Sequence, residues 1–211
     1  MLTRKSSIWW ILIILLILIL LILWWLSQRG DDTGPVSGKT VFVTSDTYTG
    51  NLGGLGGADA LCQGLATEAG VSGTFKVWIS GREQSNQDAA GRLSHAAVPY
   101  KLVDGTKVAD DWADLVDGSL DHAINITETG ASVSDGARVW TNTTTAGLAW
   151  DNTRDCALGS GPATWTCDPS TECPFESGKF GLAHATDGSW TGQEASNIAC
   201  SNTYHLYCLE Q

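Results

Sequence analysis

The chain has 211 residues, six cysteines and a formal net charge of −11. From Thr33 onward 21 Asp and Glu stand against 9 Lys and Arg, so that part carries 9 − 21 = −12. This is the reverse of the balance that nucleic-acid and heparin binders need, so those classes are set aside.

The first seven residues, with Arg4 and Lys5, precede nineteen uninterrupted apolar residues, Ile8–Leu26. At about 1.5 Å per residue a helix over that run is about 28 Å long, close to the roughly 30 Å hydrocarbon core of a bilayer. Trp9, Trp10, Trp24 and Trp25 mark its ends, where amphipathic rings favour the interfaces. The expectation is a single-pass cell-membrane anchor over 8–26 with residues 1–7 cytoplasmic and the C-terminal part extracytoplasmic. A cleaved signal peptide is the competing reading; the run exceeds the usual signal core, and Ser-Gln-Arg-Gly-Asp-Asp follows it in place of a small-residue cleavage site. Residues 27–38, interrupted by Gly30, Gly34, Pro35 and Gly38, read as a solvated tether. Its Arg29-Gly30-Asp31 is read as a chance match to an adhesion tripeptide, because it lies within a few residues of the bilayer.

One domain is expected over residues 39–211, long enough for a proper core. Lys39–Tyr48 is rich in β-branched and aromatic residues and alternates as a strand. The following Gly50–Gly57 run lacks the Lys-Ser/Thr ending of a phosphate loop and reads as a tight entry into a helix, on which Leu61, Leu65, Ala66 and Ala69 recur beside Cys62 until Gly70 stops it. Thr74–Ser80 alternates as a second strand. Val98–Val103 and Thr106–Ala109 flank Asp104-Gly105, a hairpin signal. Asp110–Asp117 suggests one helical turn, and Arg138–Thr141 and His205–Leu209 suggest short strands. Between these last two lies 142–199, polar and rich in Gly, Ser and Thr; a loop of that length is usually functional, cross-linked, or both.

Val41-Phe-Val-Thr-Ser, Gly57-Ala-Asp-Ala-Leu-Cys-Gln63, Gly73-Thr-Phe-Lys-Val-Trp-Ile-Ser80, Arg92-Leu with Val98-Pro-Tyr, Val139-Trp140 and Leu206-Tyr-Cys-Leu-Glu210 form an ordered set. That set resembles a bacterial surface-domain family of unknown function. The same skeleton is similar to endostatin, the C-terminal domain of certain collagens; both have the C-type-lectin-like fold. The resemblance covers 39–211 and implies an α+β, disulfide-stapled domain. In it the first and last strands pair, one or two helices flank a small antiparallel sheet, and a long loop carries any binding site.

Six cysteines beyond a membrane span imply three disulfides among fifteen possible pairings. The resemblance implies Cys62–Cys208 and a bridge from the long loop to Cys200. Its loop partner is open between two schemes: Cys156–Cys200 with Cys167–Cys173, or Cys167–Cys200 with Cys156–Cys173. Zinc is the rival use of these thiols, but Cys167-x5-Cys173 is not a ligand knuckle, and an oxidising compartment favours disulfides.

The sugar-binding signatures of calcium lectins are absent, and Trp150-Asp151-Asn152 only permutes the usual Trp-Asn-Asp. Asp151, Asn152, Asp155, Asp168 and Glu172 offer oxygen ligands for a possible calcium or ligand site, although no cofactor is required. The basic heparin surface of endostatin does not carry over to so acidic a chain. Asn125-Ile-Thr127 and Asn142-Thr-Thr144 match the glycosylation sequon. His95, His122, His184 and His205 have no nucleophile motif beside them, so no enzyme is expected. The expectation is a non-catalytic, membrane-anchored adhesion module for an extracellular glycan or protein. The alternative is a structural, self-associating envelope protein. The sequence specifies neither ligand nor oligomeric state.

Overall fold

The computed structural model of the protein describes residue 9 and residues 12–21, 38–82, 87–151, 153–157, 164–167, 177–192 and 198–211. The chain divides into two compact units, Met1–Ser37 and Gly38–Gln211. In the first, Trp9 and residues 12–21 are helical, and side chains such as Leu12, Leu16 and Leu20 are more than half exposed. Among the described residues no helix is long and apolar enough to cross a membrane; both ends of the expected 8–26 span, and the 27–37 part of the tether, lie outside them.

The second unit is a mixed α+β domain built on five strands: β1 (Lys39–Val43), β2 (Phe75–Val77), β3 (Tyr100–Leu102), β4 (Lys107–Ala109) and β9 (Tyr207–Glu210). They run in the order β2-β9-β1-β3-β4. The first and last strands pair antiparallel, Phe42 opposite Cys208, and β2 pairs antiparallel with the other edge of β9. The expected all-antiparallel sheet needs correction, because β1 and β3 are parallel. A helix-bearing crossover of more than fifty residues separates them, long enough for the parallel connection that a tight hairpin cannot make.

Strand β1 is central and covered on both faces. Val41 and Val43 enter one core with Trp78, Tyr100, Leu115, Val139 and Trp190, while Phe42, one residue out of phase, enters another with Phe75, Ile79, Trp140 and Trp165. The strand stops at Val43 and not at Tyr48, because Thr44 Oγ1 turns back to donate to the Asp46 carbonyl and accepts the Leu206 amide. Helix α1 (Gly54–Glu68) covers the second core with Ala58, Cys62 and Ala66. A side chain at Gly57 would meet the Leu52 carbonyl 2.1 Å from its Cβ, which is why the chain enters this helix through glycine. The β3–β4 hairpin closes on Asp104, whose Oδ1 accepts the Thr106 amide, and Gly105 takes φ 89°. The acidic turn is a one-turn helix, Trp112–Leu115, capped by Asp111.

The 142–199 segment is not an open loop where it is described. Two small ladders organise it: β5 (Arg138–Trp140) with β7 (Phe180–Leu182), and β6 (Ser177–Gly178) with β8 (Ile198–Ala199). Trp165, Cys156, Cys167 and Lys179 are fully buried. Cys62 is bonded to Cys208, tying α1 to β9, and Cys156 to Cys200, tying the segment to the approach to β9. Gly50 packs on the second bridge so closely that a Cβ there would sit 2.2 Å from Cys156 Sγ. Cys167 is also disulfide-bonded; Cys173 lies outside the described residues.

Candidate functional site

Of the five residues expected to offer calcium or ligand oxygens, Asn152, Asp168 and Glu172 lie outside the described residues. The other two are engaged internally. Asp151 caps its own turn by accepting from the Thr153 amide and hydroxyl, and pairs with Arg154 at 3.3 Å. Asp155 is not an open ligand: its side chain is 2 % exposed and Oδ2 sits 3.1 Å from Arg82 Nε. Burial pushes the Asp155 carboxyl up from the ordinary carboxylate range, and Arg82 pulls it the other way.

Asn142, the second sequon asparagine, is enclosed in the fold. It is fully buried, and its Nδ2 donates to the Gly81 and Asp151 carbonyls at 3.2 and 3.1 Å. Its φ of 46° is a backbone conformation that Asn tolerates better than most residues. Asn125 is half-buried, with Nδ2 3.3 Å from His184 Nδ1.

One trio of carboxylates among the described residues converges closely enough to hold an ion: Asp110, Asp114 and Asp121. Lys107 already occupies its charge, with Nζ at 2.5 Å from Asp110 and 2.8 Å from Asp121. Those two carboxylates hold the ammonium well above its ordinary pKa.

A different place is open and polar. Ser45, Asp46, Leu65, Glu68, Ala69, Glu128 and Thr129 line a cleft of about 230 Å³. It is built from three segments that the fold brings together: the turn after β1, the last turn of α1, and the tip of an irregular hairpin over residues 124–133. That hairpin is held beside β1 by the Val43 amide, which donates to Ile126 O at 3.0 Å, and is closed by Thr127 N to Ala131 O at 2.7 Å. At its tip Glu128 is 5 % exposed; Oε2 accepts the Ser45 amide at 2.9 Å, and Oε1 accepts the Ser45 hydroxyl. Its charge is thus met by hydrogen bonds and by no cation among the lining residues. Asp46 and Glu68 add two exposed carboxylates. Their joint field reaches Tyr48, whose hydroxyl is pushed up by burial first and then by Asp46, Glu128 and Glu68. Leu65 and Ala69 supply an apolar wall. The volume is below the several hundred Å³ of a typical small-molecule pocket and suits one long side chain.

Sequence reasoning missed this cleft. Ser45, Glu68 and Glu128 are distant in the chain, and each reads alone as an ordinary solvated residue. The four histidines are held by backbone carbonyls: His95 by Ala90, His122 by Ala123, His184 by Val133 and His205 by Thr44. Comparison with protein-family models and with curated proteins returns no match for this chain.

Proposed function

We propose that the protein is a membrane-anchored, extracytoplasmic binding module with a C-type-lectin-like domain, non-catalytic, that captures a protein ligand through a basic side chain. The observation that carries the ligand class is the cleft: three carboxylates, two hydroxyls and an apolar wall, with no lysine or arginine among its lining residues. A lysine or arginine laid there would rest its aliphatic stem on Leu65 and Ala69 and present its charge to Asp46, Glu68 and Glu128. Neutral glycans could only hydrogen-bond to these carboxylates, without the charge attraction a basic side chain adds, and acidic glycans are repelled by them.

The lectin-like reading is supported by the pairing of first and last strands and by the helix-to-last-strand disulfide, both of which the resemblance implies. The anchor rests on the apolar run 8–26 and on six cysteines that need an oxidising compartment. Against catalysis stands the engagement of every histidine with a carbonyl. Against self-assembly through an apolar face stands the scarcity of such surface: in the described part of the domain Leu148 is the one large hydrophobe that is exposed.

The test is calorimetry of the full chain in detergent with an oligolysine peptide, beside a glycan array with and without calcium. Saturable, salt-sensitive peptide binding that is lost in an Asp46→Asn, Glu68→Gln double variant supports the reading. Calcium-dependent glycan capture without peptide binding overturns it.

A further inference from the structure

The hairpin that supplies Glu128 and Thr129 to the cleft is gripped at its base by one imidazole. His184 Nε2 lies 3.0 Å from the Val133 carbonyl on one arm, and Nδ1 lies 3.3 Å from Asn125 Nδ2 on the other. The two arms are joined there by the Val133 amide donating to Asn125 O at 2.9 Å. A carbonyl only accepts, so Nε2 carries the proton of the neutral ring and Nδ1 accepts from the Asn125 amide. The ring therefore holds both arms in its neutral form.

Protonation removes the Nδ1 acceptor, and the ring then needs an acceptor where Asn125 now offers its NH₂. Two features favour that change. Among the described residues Asn125 Oδ1 is buried without a hydrogen-bond partner, so presenting it to Nδ1–H gives that oxygen the partner it lacks. Asp135 Oδ1 stands 3.7 Å from Nδ1 and becomes an ion-pair partner once the ring is charged. The other charged or titratable groups on the surrounding segments are engaged elsewhere. Arg138 donates to the Tyr204 hydroxyl, Asp121 pairs with Lys107, Asp187 accepts from Ser189, His122 meets the Ala123 carbonyl, and Glu128 accepts from Ser45.

We propose that His184 is a pH-responsive clamp on the hairpin that walls the cleft, with ring protonation turning the Asn125 amide, recruiting Asp135 and resetting Glu128 and Thr129. This rests on reading the cleft as the binding site. Imidazole is the side chain that exchanges an acceptor for a donor with the smallest change of conditions, which is why the ring is the element of this clamp that can switch.

The experiment is an NMR titration of the full chain in detergent, following the His184 ring nitrogens, the Asn125 side-chain amide, and the Glu128 and Thr129 backbone amides. Expected are the Nε2–H tautomer on the alkaline side and shifts at Asn125, Glu128 and Thr129 that track the His184 transition and vanish in His184→Gln. Asp135→Asn, at a fully exposed carboxylate that holds no part of the core, should alter the His184 transition while leaving those of His95, His122 and His205 in place. An Nδ1–H neutral tautomer, or Glu128 and Thr129 amides indifferent to His184, overturns the clamp. The same samples titrated with oligolysine at both ends of the pH range separate the two ideas. Peptide binding with silent hairpin amides removes the clamp alone, while tracking amides without peptide binding remove the ligand reading and leave the clamp standing.

Discussion

The five-stranded sheet and the 142–199 segment bury comparable side chains by different means. In the sheet, burial follows from period: Val41, Phe42 and Val43 are all fully enclosed because alternate residues enter two cores. In the segment almost no regular structure repeats, and enclosure comes from single large anchors. Trp165, fully buried, donates Nε1 to Ser80 O at 2.9 Å and packs against Trp140 with ring centroids 5.7 Å apart. Trp190 joins Trp78 and Tyr207 at 5.0 and 5.6 Å in the other core. A region with only two- and three-residue strands can thus be core, provided that cross-links and side-chain hydrogen bonds supplement its short ladders.

That contrast is broken most severely through the disulfides. The Cys62–Cys208 bridge spans 146 residues and Cys156–Cys200 spans 44. In the chain-entropy model, removing the first by Cys62→Ser, Cys208→Ser costs about 5 kcal/mol and removing the second about 4 kcal/mol. Denaturant unfolding of the two double variants should rank them in that order. Equal losses would mean that the segment depends on its bridge for native contacts beyond loop closure.

The next largest effect belongs to the buried ion pair that joins the two regions. Arg82 follows the sheet side, Asp155 lies in the segment, and their side chains are 11 % and 2 % exposed. Arg82→Gln leaves a buried carboxylate without its pair and should cost about 3 kcal/mol. The pH dependence has a defined sign. Burial raises the native Asp155 carboxyl above its unfolded value, so the native chain takes up this proton at higher pH than the unfolded chain does. This group alone therefore favours the fold increasingly as pH falls through its native value toward the ordinary carboxylate range. Asp155→Asn should erase that component of the stability-against-pH curve; an unchanged curve would contradict the burial assigned to it.

How much of this was legible depended on which physical rule built each part. The sheet strands and α1 announce themselves because alternation and helical spacing are local. The first-to-last strand pairing and the Cys62–Cys208 bridge are long-range and came only through the family resemblance. The burial of the 142–199 segment was hidden by its Gly, Ser and Thr content, although Trp150, Trp165 and Trp190 within it were the available signal. Asp155 looked like a surface ligand because sequence carries no burial. The cleft was invisible for a related reason: its carboxylates are ordinary one by one, and only the fold makes them neighbours.

Asn142 sharpens the comparison at smaller scale, since it stands where β5 leaves the ladder and the irregular segment begins. Asn142→Ala removes two hydrogen bonds to carbonyls and puts alanine at φ 46°, costing about 2 kcal/mol together. Expression in a glycosylating host should show no change in electrophoretic mobility for this variant, because the amide is enclosed in the fold. A mobility change would mean that the sequon is modified before the segment closes.

The smallest effect is expected where charge is densest. Lys107 bridges Asp110 and Asp121 on the hairpin beside the one-turn helix, but all three groups are exposed, so solvent already screens the attraction. Lys107→Ala should leave the melting temperature within error at physiological salt and shift it slightly only at low ionic strength, where screening is weak. The same variant exposes the Asp110, Asp114, Asp121 trio without its internal cation. If calcium then raises the melting temperature of Lys107→Ala and not of the parent chain, the lysine has been standing in for an ion. If calcium does nothing to either, the trio is ordinary surface charge, and among the described residues the open cleft at Ser45, Asp46, Glu68 and Glu128 is left as the acidic feature with a concave shape.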